Sequence, residues 1–255
     1  MKLLFKNLAN SYLGVKLRNL IGFRTVPIFI SKKCKGTSLS DAYLWRTDNG
    51  FKTTYSFNDI LGLFYKIDDS FVELTFFTKD NHFIKKITIS KLNYSNELLI
   101  DKDLLDGIEG YGVFYAFHRS NNKLCDDLII SNRGYIGFSF KDNLSSFVHS
   151  NLYVRYQSID GSNEGTNLVQ SSLFKNTYKI QNSFINFTNS ELFFVNPTSK
   201  KINFSIGKST YILENNCSLL IDISGKETIS IISRCMFLRP IIFNYKDDFY
   251  DVYHA

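Results

Sequence analysis

The sequence predicts an all-β protein: two tandem β-sandwich-like units preceded by a short N-terminal amphipathic helix. Three observations support this fold class. The 255 residues include 24 Phe and 15 Tyr but only three Pro, a composition that favours pleated strands. Short runs of interleaved apolar and polar residues recur along the chain, separated by Asn, Asp, Gly and Ser. Helical periodicity is confined to the first forty residues and to residues 57–66.

The first predicted element is a basic arm, residues 1–38, that contains the helix. Residues 1–40 contain eight Lys or Arg and no Asp or Glu. The rest of the chain therefore contains 22 of the 30 basic residues and all 24 acidic residues. Leu4, Leu8 and Val15 recur at roughly helical spacing up to Gly22. Two roles remain open for the arm. It packs on the protein with a solvated lysine face, or it meets an anionic membrane surface or an acidic protein partner.

The rest of the chain is divided into a first β-sandwich unit, residues 39–130, and a second, residues 131–255. The first opens with a predicted β-hairpin whose turn is Asp48-Asn49-Gly50. Further strands are predicted at residues 71–77, 83–89, 112–118, 134–140, 151–157, 191–195, 201–206, 209–213, 228–232 and 237–243.

An internal duplication is a further hypothesis. Glu73-Leu74 and the LLID run at 98–101 find counterparts in Glu191-Leu192 and the LLID run at 219–222, and each copy continues into an aromatic strand. Duplication predicts that residues 70–118 and 189–243 share one strand order. The alternative is chance similarity between strands that draw on few residue types.

Two of the four histidines end aromatic strands. His118 is followed by Arg119 and Ser120, and His149 is followed by Ser150 and Asn151. Successive side chains of a strand point to opposite faces, so the positions of His118 and His149 in their strands determine which residues share a face with each histidine. Arginines lie close to both histidines in the sequence. Together they predict a cationic, aromatic-walled cleft for an anionic glycan or nucleotide sugar. The predicted ligand-binding residues are His118, His149, Arg119, Arg133, Arg155 and Tyr153. The alternative is that both histidines are strand-end packing residues.

Other chemistry lacks a motif. The four cysteines are scattered without metal-ligand spacing, so we expect reduced thiols, no metal and no cofactor. The chain contains no phosphate-binding glycine loop and no nucleophile elbow. The body beyond the arm is slightly acidic, so no nucleic-acid binding is expected. The cluster of Asp247, Asp248, Asp251 and His254 either ligates a cation or docks on the surface.

No apolar run approaches the roughly 18 residues that a membrane-spanning helix needs, and no secretory apolar segment is evident. A cytoplasmic location is therefore expected, either free or peripheral at the membrane through the basic arm.

Several strings resemble one group of proteins. SDAYLWRTDNGFKTTY (40–55), GYGVFYAFH (110–118), SNRGYIGFSF (131–140) and FLRPIIFNY (237–245) are similar to poorly characterised bacterial β-rich proteins encoded among genes for surface-polysaccharide assembly. The resemblance implies a glycan-related setting and no mechanism. The predicted function is a non-catalytic glycan-binding or scaffold module. The alternative is a sugar- or nucleotide-sugar-modifying enzyme that uses His118 or His149 as acid or base.

Overall fold

The computed structural model confirms the all-β class. It describes residues 5, 8–9, 11–20, 36–122, 129–132, 134–141, 143–159, 164–166, 171–180, 184–225, 228–235 and 238–255. Within these residues the chain forms nineteen strands and two short helices. No helix in the described part of the chain is long and apolar enough to cross a bilayer.

The N-terminal part of the fold contains both helices and eleven strands. These are α1 (Tyr12–Leu20), β1 (Thr37–Arg46), β2 (Phe51–Asn58), α2 (Ile60–Tyr65), β3 (Phe71–Thr78), β4 (Phe83–Ser90), β5 (Ser95–Ile100), β6 (Tyr111–Arg119), β7 (Ile129–Asn132), β8 (Tyr135–Phe140), β9 (Ser146–His149), β10 (Asn151–Ser158) and β11 (Glu164–Thr166).

The C-terminal part contributes eight more strands. These are β12 (Ser171–Lys179), β13 (Asn189–Val195), β14 (Ile202–Ile206), β15 (Ser209–Leu213), β16 (Ser218–Asp222), β17 (Ser230–Cys235), β18 (Ile241–Lys246) and β19 (Phe249–His254).

The strands form four sheets. The largest has seven strands in the order β11-β10-β1-β6-β3-β4, with β7 added in parallel to β1. A four-stranded sheet, β5-β2-β8-β9, packs against it. The C-terminal part forms two further four-stranded sheets, β16-β13-β18-β19 and β12-β17-β14-β15. Apart from the β7 pair, all pairings in these sheets are antiparallel.

The central strands of the sheet β16-β13-β18-β19 are largely buried on both faces, and the sheet joins two hydrophobic cores. Phe193 and Phe243 belong to the core that fills the N-terminal part, whereas Phe194 and Ile242 belong to the core of the C-terminal sandwich. Successive residues of a strand point to opposite faces, which explains why neighbours in sequence enter different cores. The two parts therefore pack through a shared middle sheet.

The turn predicted at Asp48–Gly50 is present, but the strands on either side of it do not pair with each other. β1 pairs with β6, β7 and β10, whereas β2 pairs with β5 and β8. The hairpin prediction is therefore wrong. Tyr43 of β1 and Tyr55 of β2 are fully buried, and their ring centroids lie 4.9 Å apart. The chain crosses between two sheets here because both strands bury aromatic side chains in the core between them.

β1 also changes partners along its length. Its C-terminal residues pair with β6, whereas its first four residues pair with β7 and β10. Where β1 leaves the edge of β6, the Ser38 hydroxyl accepts a hydrogen bond from the His118 N–H at 3.0 Å, and the Ser40 hydroxyl accepts one from the Ala116 N–H at 2.8 Å. These buried hydroxyls replace the carbonyls that a paired strand would supply.

The strand pairing differs from the predicted division at residues 130 and 131. β8 pairs with β2 and β10 pairs with β1, so residues up to β11 belong to the sheets of the N-terminal part. The segments compared for duplication also differ: β3 pairs with β4 and β6, whereas β13 pairs with β16 and β18. This difference in strand order argues against duplication, because short strands of similar composition can enter unrelated pairings.

A helix is present within the basic arm. α1 begins after Ser11, whose hydroxyl accepts a hydrogen bond from the Gly14 N–H at 3.2 Å, and it lies beside β12. The short helix predicted within 57–66 is also present as α2, where the Asp59 carboxylate accepts a hydrogen bond from the Gly62 N–H at 2.9 Å.

Candidate functional site

A groove of about 490 Å³ lies over one face of the large sheet. Its floor comes from β3, β6 and β10, and its sides come from β4, β11 and two C-terminal turns. The lining residues are Glu73, Thr75, Phe77, Phe83, Lys86, Tyr115, Phe117, Arg155, Tyr156, Gln157, Glu164, Gly165, Ser199 and Asn216. We refer to this feature as the sheet groove.

Strand register explains why these residues meet. Glu73 pairs with Phe117 and Thr75 pairs with Tyr115, so these four side chains share one face of the sheet. The period of two along a strand places the buried side chains of the alternate positions, such as Leu74 and Ala116, on the opposite face, in the hydrophobic core.

Arg155 lies at the centre of the sheet groove. Its guanidinium carbon is 4.0 Å from the ring centroid of Tyr115 and 5.7 Å from that of Phe77. Its Nη2 donates to Asn216 Oδ1 at 3.0 Å, so β10 is connected to a turn of the C-terminal part. Burial raises the pKa of the Tyr115 hydroxyl, and the nearby Arg155 partly offsets that rise. These contacts fix the guanidinium plane against the aromatic floor.

Two polar atoms of β10 are buried in the groove without a hydrogen-bond partner among the described residues. They are the Nε of Arg155, a donor, and the Oε1 of Gln157, an acceptor. Because the two residues are two positions apart on one strand, their side chains emerge side by side on the same face. A buried polar group that lacks a partner costs about 1–3 kcal/mol, so a ligand that both accepts and donates would relieve this cost if it reached the pair.

A charged network lies beside them. The two carboxylate oxygens of Glu73 bind different cations: Oε1 accepts from Arg119 Nη2 at 2.7 Å, and Oε2 lies 2.7 Å from Lys86 Nζ. Glu73 is only 7% exposed. Within the groove, Arg155 and Lys86 are balanced by Glu73 and Glu164, so the formal charge of its lining is close to neutral.

The predicted site residues are only partly brought together. Arg155 lines the sheet groove, and Arg119 reaches its edge through Glu73. Tyr153 belongs to β10, but its side chain lies outside the described part of the chain. Arg133 also lies outside the described residues.

His118 and His149 do not share a cleft. His118 is 0% exposed and faces the core, where its ring centroid is 6.4 Å from that of Phe57. His149 is exposed on β9, with its ring 4.4 Å from that of Tyr135. Neither histidine lines the sheet groove.

His149 instead lies near His254 of β19. The pKa of His254 is lowered to about 4, chiefly by burial and then by Arg239; the hydrogen bond with the Ala255 carbonyl opposes this shift, and His149 adds a smaller lowering. The described residues contain no group of three or more His, Cys, Asp or Glu side chains that could hold a metal ion.

Sequence reasoning missed Glu73, Lys86, Gln157 and Asn216. A signal existed for Glu73, because it is an acidic residue inside the apolar strand at 71–77, where a buried acid needs a cationic partner. Asn216 had no signal, because it follows Arg155 by 61 residues and only the packing of the two parts brings them together.

Comparison with protein-family models, with curated proteins and with solved structures gave no match.

Proposed function

We propose that this protein is a non-catalytic binding module that takes a carbohydrate in the sheet groove. The observation that supports this most directly is the donor and acceptor pair, Arg155 Nε and Gln157 Oε1, buried without a partner among the described residues. The surface-polysaccharide setting comes from the sequence resemblance, and we place the module in the cytoplasm.

Carbohydrate chemistry suits this pair. A hydroxyl group accepts one hydrogen bond and donates another, so neighbouring hydroxyls of a sugar ring can accept from Arg155 and donate to Gln157. Phe83 and Phe117 supply apolar surface in the same groove for the carbon face of the ring. A purely apolar ligand would leave both polar atoms unsatisfied.

Binding without chemistry is favoured by the state of Glu73. Both of its oxygens form ion pairs at 2.7 Å, so both are already occupied by partners within the protein. The enzymatic alternative assigned acid or base roles to His118 and His149, and neither lines the groove.

The charge of the ligand is a separate question. An anionic glycan or nucleotide sugar was predicted from a cationic cleft of His118, His149 and the nearby arginines. The carboxylates of Glu73 and Glu164 balance the cations of the groove, which favours a neutral sugar at this position. A panel that pairs glucose with glucuronate, and N-acetylglucosamine with its uridine diphosphate form, separates these possibilities.

The test is calorimetric titration of this panel into the intact chain and into Gln157→Leu. Leucine removes the acceptor at similar volume, so binding of the recognised sugar should weaken about three- to tenfold. The melting temperature should stay the same or rise, because an unsatisfied buried atom is removed. Asn203→Leu, which replaces an exposed amide on β14, is the matched control and should bind normally.

Arg155→Met should weaken the same sugar more strongly, about tenfold or more, because a charge-assisted bond is lost. Unchanged affinity in both groove variants would overturn the proposal. Conversion of any panel sugar, followed by NMR during incubation, would instead support the enzymatic alternative.

A further inference from the structure

A second surface, on a different sheet from the floor of the sheet groove, combines positive charge with exposed apolar side chains. It is the outer face of the sheet β12-β17-β14-β15, where a cavity of about 530 Å³ opens. Lys175, Lys200, Lys201 and Arg234 line this cavity, and its described lining contains no Asp or Glu. We call these four residues the basic face.

The absence of acid extends over the whole sheet. The sequences of β12, β14, β15 and β17 contain no Asp or Glu, whereas the neighbouring sheet contains Glu191, Asp222 and Asp251. One cation of the basic face is neutralised, because Lys201 Nζ lies 2.8 Å from Glu214 Oε1. The other three leave a net positive charge on this face.

Apolar side chains are exposed next to the basic face. The pairing of β12 with β17 runs from Ser171 opposite Cys235 to Asn176 opposite Ser233, so β12 has extra residues between these points and forms a bulge. In this bulge Leu173 is 50% exposed and Phe174 is 64% exposed.

Helix α1 adds to the same region, because it lies beside β12. Leu13, Leu17 and Leu20 follow helical spacing, and they are 77%, 64% and 47% exposed. The helix sequence also contains Lys16 and Arg18 and no acid. We call Leu13, Leu17, Leu173 and Phe174 the apolar rim.

We propose that the basic face and the apolar rim together dock this protein on an anionic membrane surface. Apolar side chains enter the boundary between headgroups and acyl chains, while lysines and arginines bind the anionic headgroups. The amphipathic helix contacts β12, an edge strand of the acid-free sheet, so its leucines lie next to that sheet. An acidic protein would use the charge but would leave the leucines of α1 without an apolar partner.

The test is co-sedimentation of the whole chain with vesicles of phosphatidylcholine alone and of equal parts phosphatidylcholine and phosphatidylglycerol. The protein should bind the anionic vesicles, and added salt should weaken this binding. Lys175→Ser with Arg234→Ser should lower the partition coefficient about thirtyfold. Lys91→Asn with Lys246→Ser removes the same charge from exposed sites elsewhere and should have much less effect. Asn is chosen because Lys91 has φ of 57°.

Leu17→Ser should weaken binding about tenfold or more, because an inserted leucine contributes through its buried area. Leu144→Ser, which changes a 95% exposed leucine between β8 and β9, is the control and should bind normally. Absence of binding to anionic vesicles at low salt would overturn the proposal, as would equal loss in the variants and their controls. Light scattering tests whether a second copy of the chain, and not a membrane, covers this surface. A dimer that Leu17→Ser converts to a monomer, without vesicle binding, would assign the surface to a second copy of the chain.

Discussion

Replacing Arg46 by Met tests how the two parts of the molecule are held together. Arg46 is 1% exposed, and its guanidinium bridges them: Nε donates to Asp48 Oδ1 at 2.7 Å, and Nη1 donates to Glu191 Oε2 at 2.7 Å. Nη1 also lies 2.9 Å from the Tyr245 hydroxyl, which donates to the same Glu191 oxygen at 2.6 Å. The guanidinium carbon is 4.3 Å from the ring centroid of Phe51.

The magnitude follows from what the substitution leaves behind. Burial by itself disfavours the charged form of Arg46, but Tyr245, Asp48 and Glu191 outweigh it and raise the pKa of the guanidinium. Removing one member of a buried ion pair costs about 3–5 kcal/mol because the other charge remains buried. The side chains of Glu191 and Asp48 are 16% and 21% exposed, so water can reach them in part. We therefore expect a loss of about 3 kcal/mol, at the low end of that range.

The assay is urea unfolding of the intact chain, Arg46→Met, Glu191→Gln and the double variant. The double variant should be less destabilised than the sum of the single ones, because neutral Gln needs no counter-charge. Arg234→Met, at an exposed arginine, is the control and should lie within about 0.5 kcal/mol of the intact chain. A loss below about 1 kcal/mol for Arg46→Met, or strict additivity in the double variant, would refute the reasoning.

Three further predictions concern single residues. His118→Ala should cost about 2–4 kcal/mol in urea unfolding because the ring is fully buried, whereas His149→Ala, at an exposed ring, should change stability little; equal effects would contradict the placement of the two rings. The pKa of His254 is about 4 in the folded chain and about 6.5 in the unfolded chain, so between these pH values the unfolded state binds a proton that the folded state does not. The free energy of unfolding should therefore fall as the pH drops from about 6.5 to about 4. His254→Gln should remove at most about 3 kcal/mol of that fall, and an unchanged pH profile would count against it. Gly112→Ala should destabilise by about 1–3 kcal/mol in thermal unfolding, because a Cβ would clash with the Phe77 carbonyl; a neutral effect would be inconsistent with that close approach.

The sequence alone was enough to predict local structure. Alternating apolar and polar residues predicted most of the strands, and Asp59 ahead of an apolar run was compatible with the start of α2. The turn at Asp48–Gly50 was also predicted, because Asn49 and Gly50 tolerate the positive φ values of 52° and 86° that they adopt. Each of these features depends on residues that are neighbours along the chain.

The candidate site was predicted only in part. Arg155 and Arg119 were identified as cations near aromatic strands, and both contribute to the sheet groove. His118 was placed on a strand face correctly, yet the period of two does not say whether that face meets solvent or core. The tertiary structure places it in the core.

Strand partners were decided only by the tertiary structure. β1 and β2 are joined by a turn that suits a hairpin, but they enter different sheets because both bury aromatic side chains between those sheets. In the same way, Asn216 meets Arg155 only after the middle sheet has packed against both cores. Alternation specifies which side chains share a face, while the choice of partner depends on the contacts of the whole core. The entropy of closing a loop changes only slowly with its length, so sequence separation gives little guidance to which strands pair.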